Sequence, residues 1–230
     1  MDDHEDAELT AARIALEGSS LEKLALSVRA LTAILRDPDD TRQVFLLGLS
    51  ANARRLPWLL AQFARDDDGD RLLRERPAID SRTVDWDALR ALPDGTLGRE
   101  YARYLDEHHL DPDLFQAPPG LPPTVAWLAQ RIRQTHDIWH VLTGYAPDVP
   151  GEIALQAFTY GQMGMPSAGL IALFGTLRFG LRHRTLARDV VRGLAHGRRA
   201  RFLATVVFED QWARPLGEVR RELGVVPLAA

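Results

Sequence analysis

Four side chains within seventeen residues could do chemistry together: His136, Asp137, His140 and Glu152. On a helix, His136 and His140 stand one turn apart on one face, with Asp137 about 100° around from His136. Two imidazoles and a carboxylate so placed can close on one divalent cation. Glu152, arriving from a second segment, would complete the set. It follows Gly151 where a new helix is expected to begin, and the helix dipole there favours its anionic form. Nitrogen and oxygen donors without thiolate suit zinc first; iron(II), manganese and cobalt are also compatible. If Asp137 or Glu152 supported the ligands rather than touching the ion, one coordination position would be left for water or substrate. A reading without metal stays open, in which Asp137 pairs with an arginine and both histidines pack beside Trp139.

The elements that must position these residues read as all-α, a single multi-helix domain with the metal site on a helix-loop-helix. Residues 125–142 are expected to form the helix carrying the histidines, with Gly144 as its C-terminal cap and Pro147 and Pro150 extending the loop beyond. Upstream, Leu21, Leu24, Ala25, Val28, Leu31, Ile34 and Leu35 keep a helical period that Ser19 or Ser20 can cap and Asp37-Pro38 ends. Residues 44–63 are helical in pattern, with Pro57 a break or a start. The acidic run 66–70 reads as a solvated loop, and its glycine is misplaced for a calcium-binding hand. A short helix around residues 86–89 and another over 98–107 flank a Pro93-Asp94-Gly95 turn. The prolines of 118–123 form a stiff extended connection. Residues 204–208, the one β-branched stretch, are expected to continue a helix. Residues 1–18 are expected to be a flexible acidic N-terminus ahead of a helical domain at 19–230.

Composition narrows the function classes. A net charge of -4 gives no global reason to bind nucleic acid, and no aromatic platform interleaves the arginines. The absence of cysteine excludes disulfides, thiolate zinc sites and cysteine nucleophiles. The acidic start resembles neither a secretory signal nor a transit peptide, which makes a cytoplasmic, bacterial protein the expectation. Residues 153–177 carry no charge and are long enough to span a bilayer. Pro166 and the four glycines of that stretch favour two shorter buried helices instead. Just after it, Arg184, Arg188 and Arg192, with His196, recur every four residues and predict a shared basic face. Such a face beside an apolar segment suits anionic lipid headgroups, though a solvated face looks the same.

A His-Asp pair also occurs in HD-domain phosphohydrolases, which need further ligands elsewhere, and thermolysin-like proteases place a glutamate after the first histidine where this chain has the shorter Asp137. The fuller match lies with another family. The stretch His-Asp-Ile-Trp-His-Val-Leu-Thr-Gly at 136–144, with Gly151-Glu152, resembles the His-Asp-x-x-His-x11-Glu signature of the coenzyme Q biosynthesis protein 4 family. Arg76-Pro77, the block 92–98, Gln162-x-Gly164-x-Pro166, the block 208–212 and Leu223-Gly224-Val225 resemble further family blocks, so the likeness spans about residues 20 to 228.

The resemblance implies an all-helical, dimeric protein of ubiquinone synthesis, bound peripherally at the inner face of the cell membrane and working with other ubiquinone-biosynthesis proteins. It implies zinc held by His136, Asp137, His140 and Glu152, the same four forming the catalytic set. The implied reaction lies at carbon 1 of a 4-hydroxy-3-methoxy-5-polyprenylbenzoate, where the carboxyl group leaves and a hydroxyl replaces it. The alternative is a non-catalytic, lipid-binding scaffold that organises the biosynthetic complex; a hydrolase of phosphorylated isoprenoids is a third reading. For a polyprenylated substrate, Phe158, Met163, Met165, Leu170, Leu173 and Phe174 are candidate lining residues, with simple core packing the competing role. Arg184 and Arg188 are candidates for the lipid surface.

Overall fold

Most helix ends are set by local chemistry. In the computed structural model, which describes residues 3–37, 41–114 and 120–228, α1 spans Asp3–Glu17, α2 Ser20–Arg36 and α3 Thr41–Asn52. They are followed by α4 Leu56–Phe63, α5 Asp67–Glu75, α6 Trp86–Ala91 and α7 Leu97–His108. The second half holds α8 Pro123–Thr143, α9 Val149–Met163, α10 Pro166–Phe179, α11 Leu186–Arg199 and α12 Leu216–Leu223. No strand forms among the described residues beyond one isolated bridge between Thr96 and Pro215. Ser19 and Glu22 satisfy each other's free backbone N–H groups in a reciprocal cap at the start of α2. Asp148 accepts from Gly151 N at the start of α9. Gly144 and Gly164 end α8 and α9 at φ values of 73° and 62°, where a side chain would be strained.

Four expectations change. Residues 3–17 are helical, and Ala11, Ala12 and Ala15 are buried, because these small side chains let α1 sit close on the bundle. The acidic run 66–70 is the start of α5: Asp66 accepts from Gly69 N, and Asp67, Asp68 and Asp70 occupy the first turn, where the helix dipole favours anions. Residues 204–208 do not extend a helix but run through two 3-10 turns, Leu203–Thr205 and Phe208–Gln211. The buried Gln162 anchors the backbone that leads into this stretch. Its amide nitrogen donates to Gly197 O at 2.6 Å, and its oxygen accepts from Leu203 N at 2.7 Å. Finally, Arg184 lies in a turn ahead of α11, so of the expected series the helix itself carries Arg188, Arg192 and His196. Of the 118–123 proline run, residues 118 and 119 lie outside the described residues, and Pro122 caps α8.

The main core gathers on α8, whose Ile138, Trp139 and Leu142 meet Leu155 and Phe158 of α9 and Leu203 and Phe208 of the 3-10 segment. A smaller core joins Ala30, Ile34, Leu47 and Ile171 of α2, α3 and α10. The charge-free stretch is indeed split, with α9 ending at Met163 and α10 starting at Pro166. No helix among the described residues is long and apolar enough to cross a membrane.

What fixes α9, and with it Glu152, is an unusually close approach to α11. A Cβ at Gly197 would lie 2.2 Å from Phe158 O, and one at Gly193 2.6 Å from Ala154 O. Gly161 of α9 meets Leu194 O in the same way, at 2.7 Å. Gly197→Ala is therefore expected to cost about 3 kcal/mol, the upper part of the range for overpacking, because backbone rather than a flexible side chain must yield. Urea unfolding measures this, and an unchanged midpoint would show that the two helices are not held at this distance.

Candidate metal centre

His136 and His140 share one face of α8, with ring centroids 4.9 Å apart and planes at 88°. Only residues 144–148 separate α8 from α9, so Glu152 in the first turn of α9 is brought back against them. Its Oε2 lies 3.2 Å from His136 Nε2 and its Oε1 2.9 Å from His140 Nε2. One donor atom from each of the three lies within 4.8 Å of the others.

The second nitrogen of His140 explains the tautomer. Nδ1 is 2.9 Å from the backbone oxygen of Tyr145, which can only accept, so Nδ1 carries the proton. Nε2 then offers a lone pair to the centre. It is buried and, despite its short distance to Glu152, not lined up with it as a hydrogen bond. A lone pair and a carboxylate facing each other repel unless a cation lies between them. In the protein alone that cation can be a proton. Burial presses His140 towards the neutral form, but Glu152, the Tyr145 carbonyl and Asp137 together raise its pKa. Glu152 shows the counterpart: burial would raise its pKa, yet the two histidines hold it well below the usual carboxylate range. A divalent ion satisfies the same three groups without that proton. A tetrahedral ion held by two imidazoles and one carboxylate would have a fourth position for water or another ligand.

Asp137 does not join the three. It stands three residues before His140 and lines a cavity together with His136 and Glu152, outside the group of three whose donor atoms lie within 4.8 Å of one another. Burial raises its pKa, against the pull of His136, His140 and Arg133. Arg133, one turn earlier on α8, lies near enough to favour its anionic form.

Two cavities meet at the centre. The first, of about 310 Å³, is walled by side chains such as Leu49, Leu59, Val125, Leu128 and Met165, with Lys23 and Arg54 also on its wall. The second, of about 330 Å³, is lined by Tyr104, Leu110, Asp137, Glu152, Ile171 and Phe179, among others. Of the expected lipid-lining residues only Met165 lines the first cavity. Phe158 and Met163 are 1% and 0% exposed in the main core, where Phe158 meets Trp139 edge-on. Leu170 packs against the smaller core, while Leu173 and Phe174 are exposed at the surface. Arg188 is exposed and paired with Asp189 at 3.3 Å.

Three residues of the site escaped sequence reasoning. Tyr104, on α7, stacks on His140 with centroids 5.6 Å apart and planes at 19°. Its buried hydroxyl has no hydrogen-bond partner among the described residues, and burial, with Asp137 and Glu152 nearby, pushes its pKa up. Nothing in the sequence links a tyrosine on a distant helix to the motif. Arg133 and Gln156 line both cavities. They could have been found, since each stands one turn from a ligand, Arg133 three residues before His136 and Gln156 four after Glu152.

The family model described as coenzyme Q (ubiquinone) biosynthesis protein Coq4 matches residues 13–229. The chain is 36% identical over 211 residues to the mitochondrial ubiquinone biosynthesis protein COQ4 homolog of Xenopus tropicalis, covering 91% of this chain and 75% of the relative. It is 35% identical over 214 residues to the Homo sapiens homolog, covering 91% and 80%. A crystal structure from Nostoc punctiforme, carrying a provisional ubiquinone biosynthesis name, superposes with a TM-score of 0.69 at 25% identity, over 87% of this chain and 97% of that one.

Proposed function

Because this chain belongs to the coenzyme Q (ubiquinone) biosynthesis protein Coq4 family, we propose that it carries out the metal-dependent oxidative decarboxylation of a 4-hydroxy-3-methoxy-5-polyprenylbenzoate at carbon 1. The supporting observation is that His136 of the three-residue cluster lines an apolar cavity, while His136 and Glu152 line a second cavity that meets it. The apolar walls take the polyprenyl chain and exclude water, which leaves the aromatic head beside His136. His136, His140 and Glu152 would hold the ion, and the hydrogen bond from His140 to Tyr145 O fixes the ring that presents Nε2. A divalent cation, zinc first, would supply neutralisation of negative charge on the ring substituents. With dioxygen as oxidant, the acid, O2 and water give the ring hydroxyl, CO2 and hydrogen peroxide; the C1–carboxyl bond breaks, a C1–O bond forms, and two electrons pass to O2.

A peripheral membrane site belongs to the same proposal. Leu177 and Leu181 are 68% and 96% exposed, and the neighbouring Arg178, Arg182, Arg184 and Arg188 are exposed as well. Apolar side chains ringed by arginine suit an anionic lipid surface, which would bring a membrane-dissolved substrate to the protein. The same exposed residues favour the second reading, a scaffold that binds lipid and partners without turnover.

The deciding assay supplies the purified protein with zinc, iron(II), manganese or cobalt in turn, under oxygen, with a short-chain prenylated 4-hydroxy-3-methoxybenzoate. Release of CO2 with appearance of the ring hydroxyl is the expected result. Stoichiometric metal with no turnover for any ion would favour the scaffold. Metal binding itself has a separate readout. Zinc at about a hundredfold above its Kd is expected to stabilise the metal-free protein by about 2.7 kcal/mol, and no shift in the unfolding midpoint would remove the metal from the reading.

A further inference from the structure

We infer that Arg133 reads the carboxylate of an amphiphilic aromatic acid and so distinguishes substrate from decarboxylated product. The inference rests on the substrate class proposed above and adds the residue that selects it. Among the described residues the two cavities share Val44, Arg133, His136 and Gln156. Of these, Arg133 alone carries a permanent positive charge. It stands one helical turn before His136 on α8, on the same face as the ligand, and its Nε is buried within the fold. Asp137 and Glu152 both lie near enough to favour that charge, and the Glu152 carboxylate is also engaged by the two histidines, at 3.2 and 2.9 Å.

An apolar cavity ending in a guanidinium fits a molecule with an apolar tail and an anionic head. The planar fork of donors on a guanidinium matches the two oxygens of a carboxylate, and shielding from water strengthens such a charge-assisted pair. Loss of the carboxyl group as CO2 removes that partner, so the product is held less tightly than the acid. The competing placement puts the head at Lys23 and Arg54, also on the wall of the first cavity, with the tail pointing inward.

Binding under argon separates these placements, because without oxygen the zinc-loaded protein cannot complete the reaction. Calorimetric titration would compare 3-geranyl-4-hydroxybenzoate with 2-geranylphenol, which differs from it only in lacking the carboxylate. The wild type is expected to prefer the acid by roughly 10- to 100-fold, the span of a hydrogen bond to a charged group. Arg133→Gln should abolish that preference while leaving the phenol within about twofold of its wild-type affinity, and Arg133→Lys should restore part of it. An acid-to-phenol ratio unchanged in Arg133→Gln overturns the inference. So does a ratio that collapses instead in a Lys23→Gln/Arg54→Gln double variant, which would place the head at the other wall. If the wild type binds neither compound, the proposed substrate class fails and this inference with it; a wild-type preference that survives Arg133→Gln sinks the role of Arg133 alone.

Discussion

Replacing His140 with alanine is expected to lower metal affinity by more than about 100-fold, beyond the 10–100-fold typical of an outer contact, and to end ring decarboxylation while the helices persist. His140 combines two roles that no neighbour can take over. Its Nδ1–H is tied to Tyr145 O, and its Nε2 is a fully buried donor aimed between His136 and Glu152. Without it, one imidazole and one carboxylate remain, too few to hold zinc against water. The fold should survive because the side chains of α8 that carry the core, Ile138, Trp139 and Leu142, are untouched. Asp137→Asn provides the contrast, since Asp137 lies outside the ligand group, and this variant should retain stoichiometric metal. Metal content by mass spectrometry, alongside circular dichroism, tests both. Wild-type affinity in His140→Ala would mean that the ion sits elsewhere.

The second large effect lies away from the centre. Glu209→Ala is expected to destabilise the protein by about 3–5 kcal/mol, the cost of leaving a buried charge unpaired. In a domain of this size that lowers the melting temperature by roughly 6–20 °C. Arg131, on α8, is 1% exposed, and its two terminal nitrogens meet the two oxygens of Glu209 at 2.5 and 2.8 Å. It also reaches the Val206 carbonyl at 3.4 Å, pinning the 3-10 segment across the helix that bears both histidines. Removing both charges is a different matter. Arg131→Met with Glu209→Leu should recover most of the loss, since well-packed apolar replacements of buried pairs are often neutral or stabilising. Urea unfolding of the single and double variants decides it. A loss below about 1 kcal/mol for Glu209→Ala would place this pair with ordinary surface bridges.

The ligand cluster was legible in the sequence because helix geometry turns spacing into position. His136 and His140 at four residues must share a face, and Gly151 marks where Glu152 would enter a new helix. Asp137, also read as a ligand, lines one cavity with His136 and Glu152 but falls outside their 4.8 Å group, a separation that the helical period alone does not give. Phe158 and Met163 show another limit. A charge-free run announces burial but not whether the side chains meet a cavity or the core, and the first cavity owes much of its wall to α3, α4 and α8 instead. The acidic run at 66–70 was misjudged by composition, although Asp66 three residues before Gly69 is the spacing of an N-cap. Tyr104 had no signal at all, since only the packing of α7 against α8 sets it on His140.

Lys23 is the one lysine in the chain, and it stands on the wall of the first cavity. Apart from the α-amino group, it is therefore the only primary amine available to acylating reagents, in a protein that also lacks thiols. A single environment-sensitive dye could be attached there without mutagenesis. Its emission would follow the arrival of an isoprenoid tail in real time, giving association and dissociation rates for molecules too insoluble for ordinary assays.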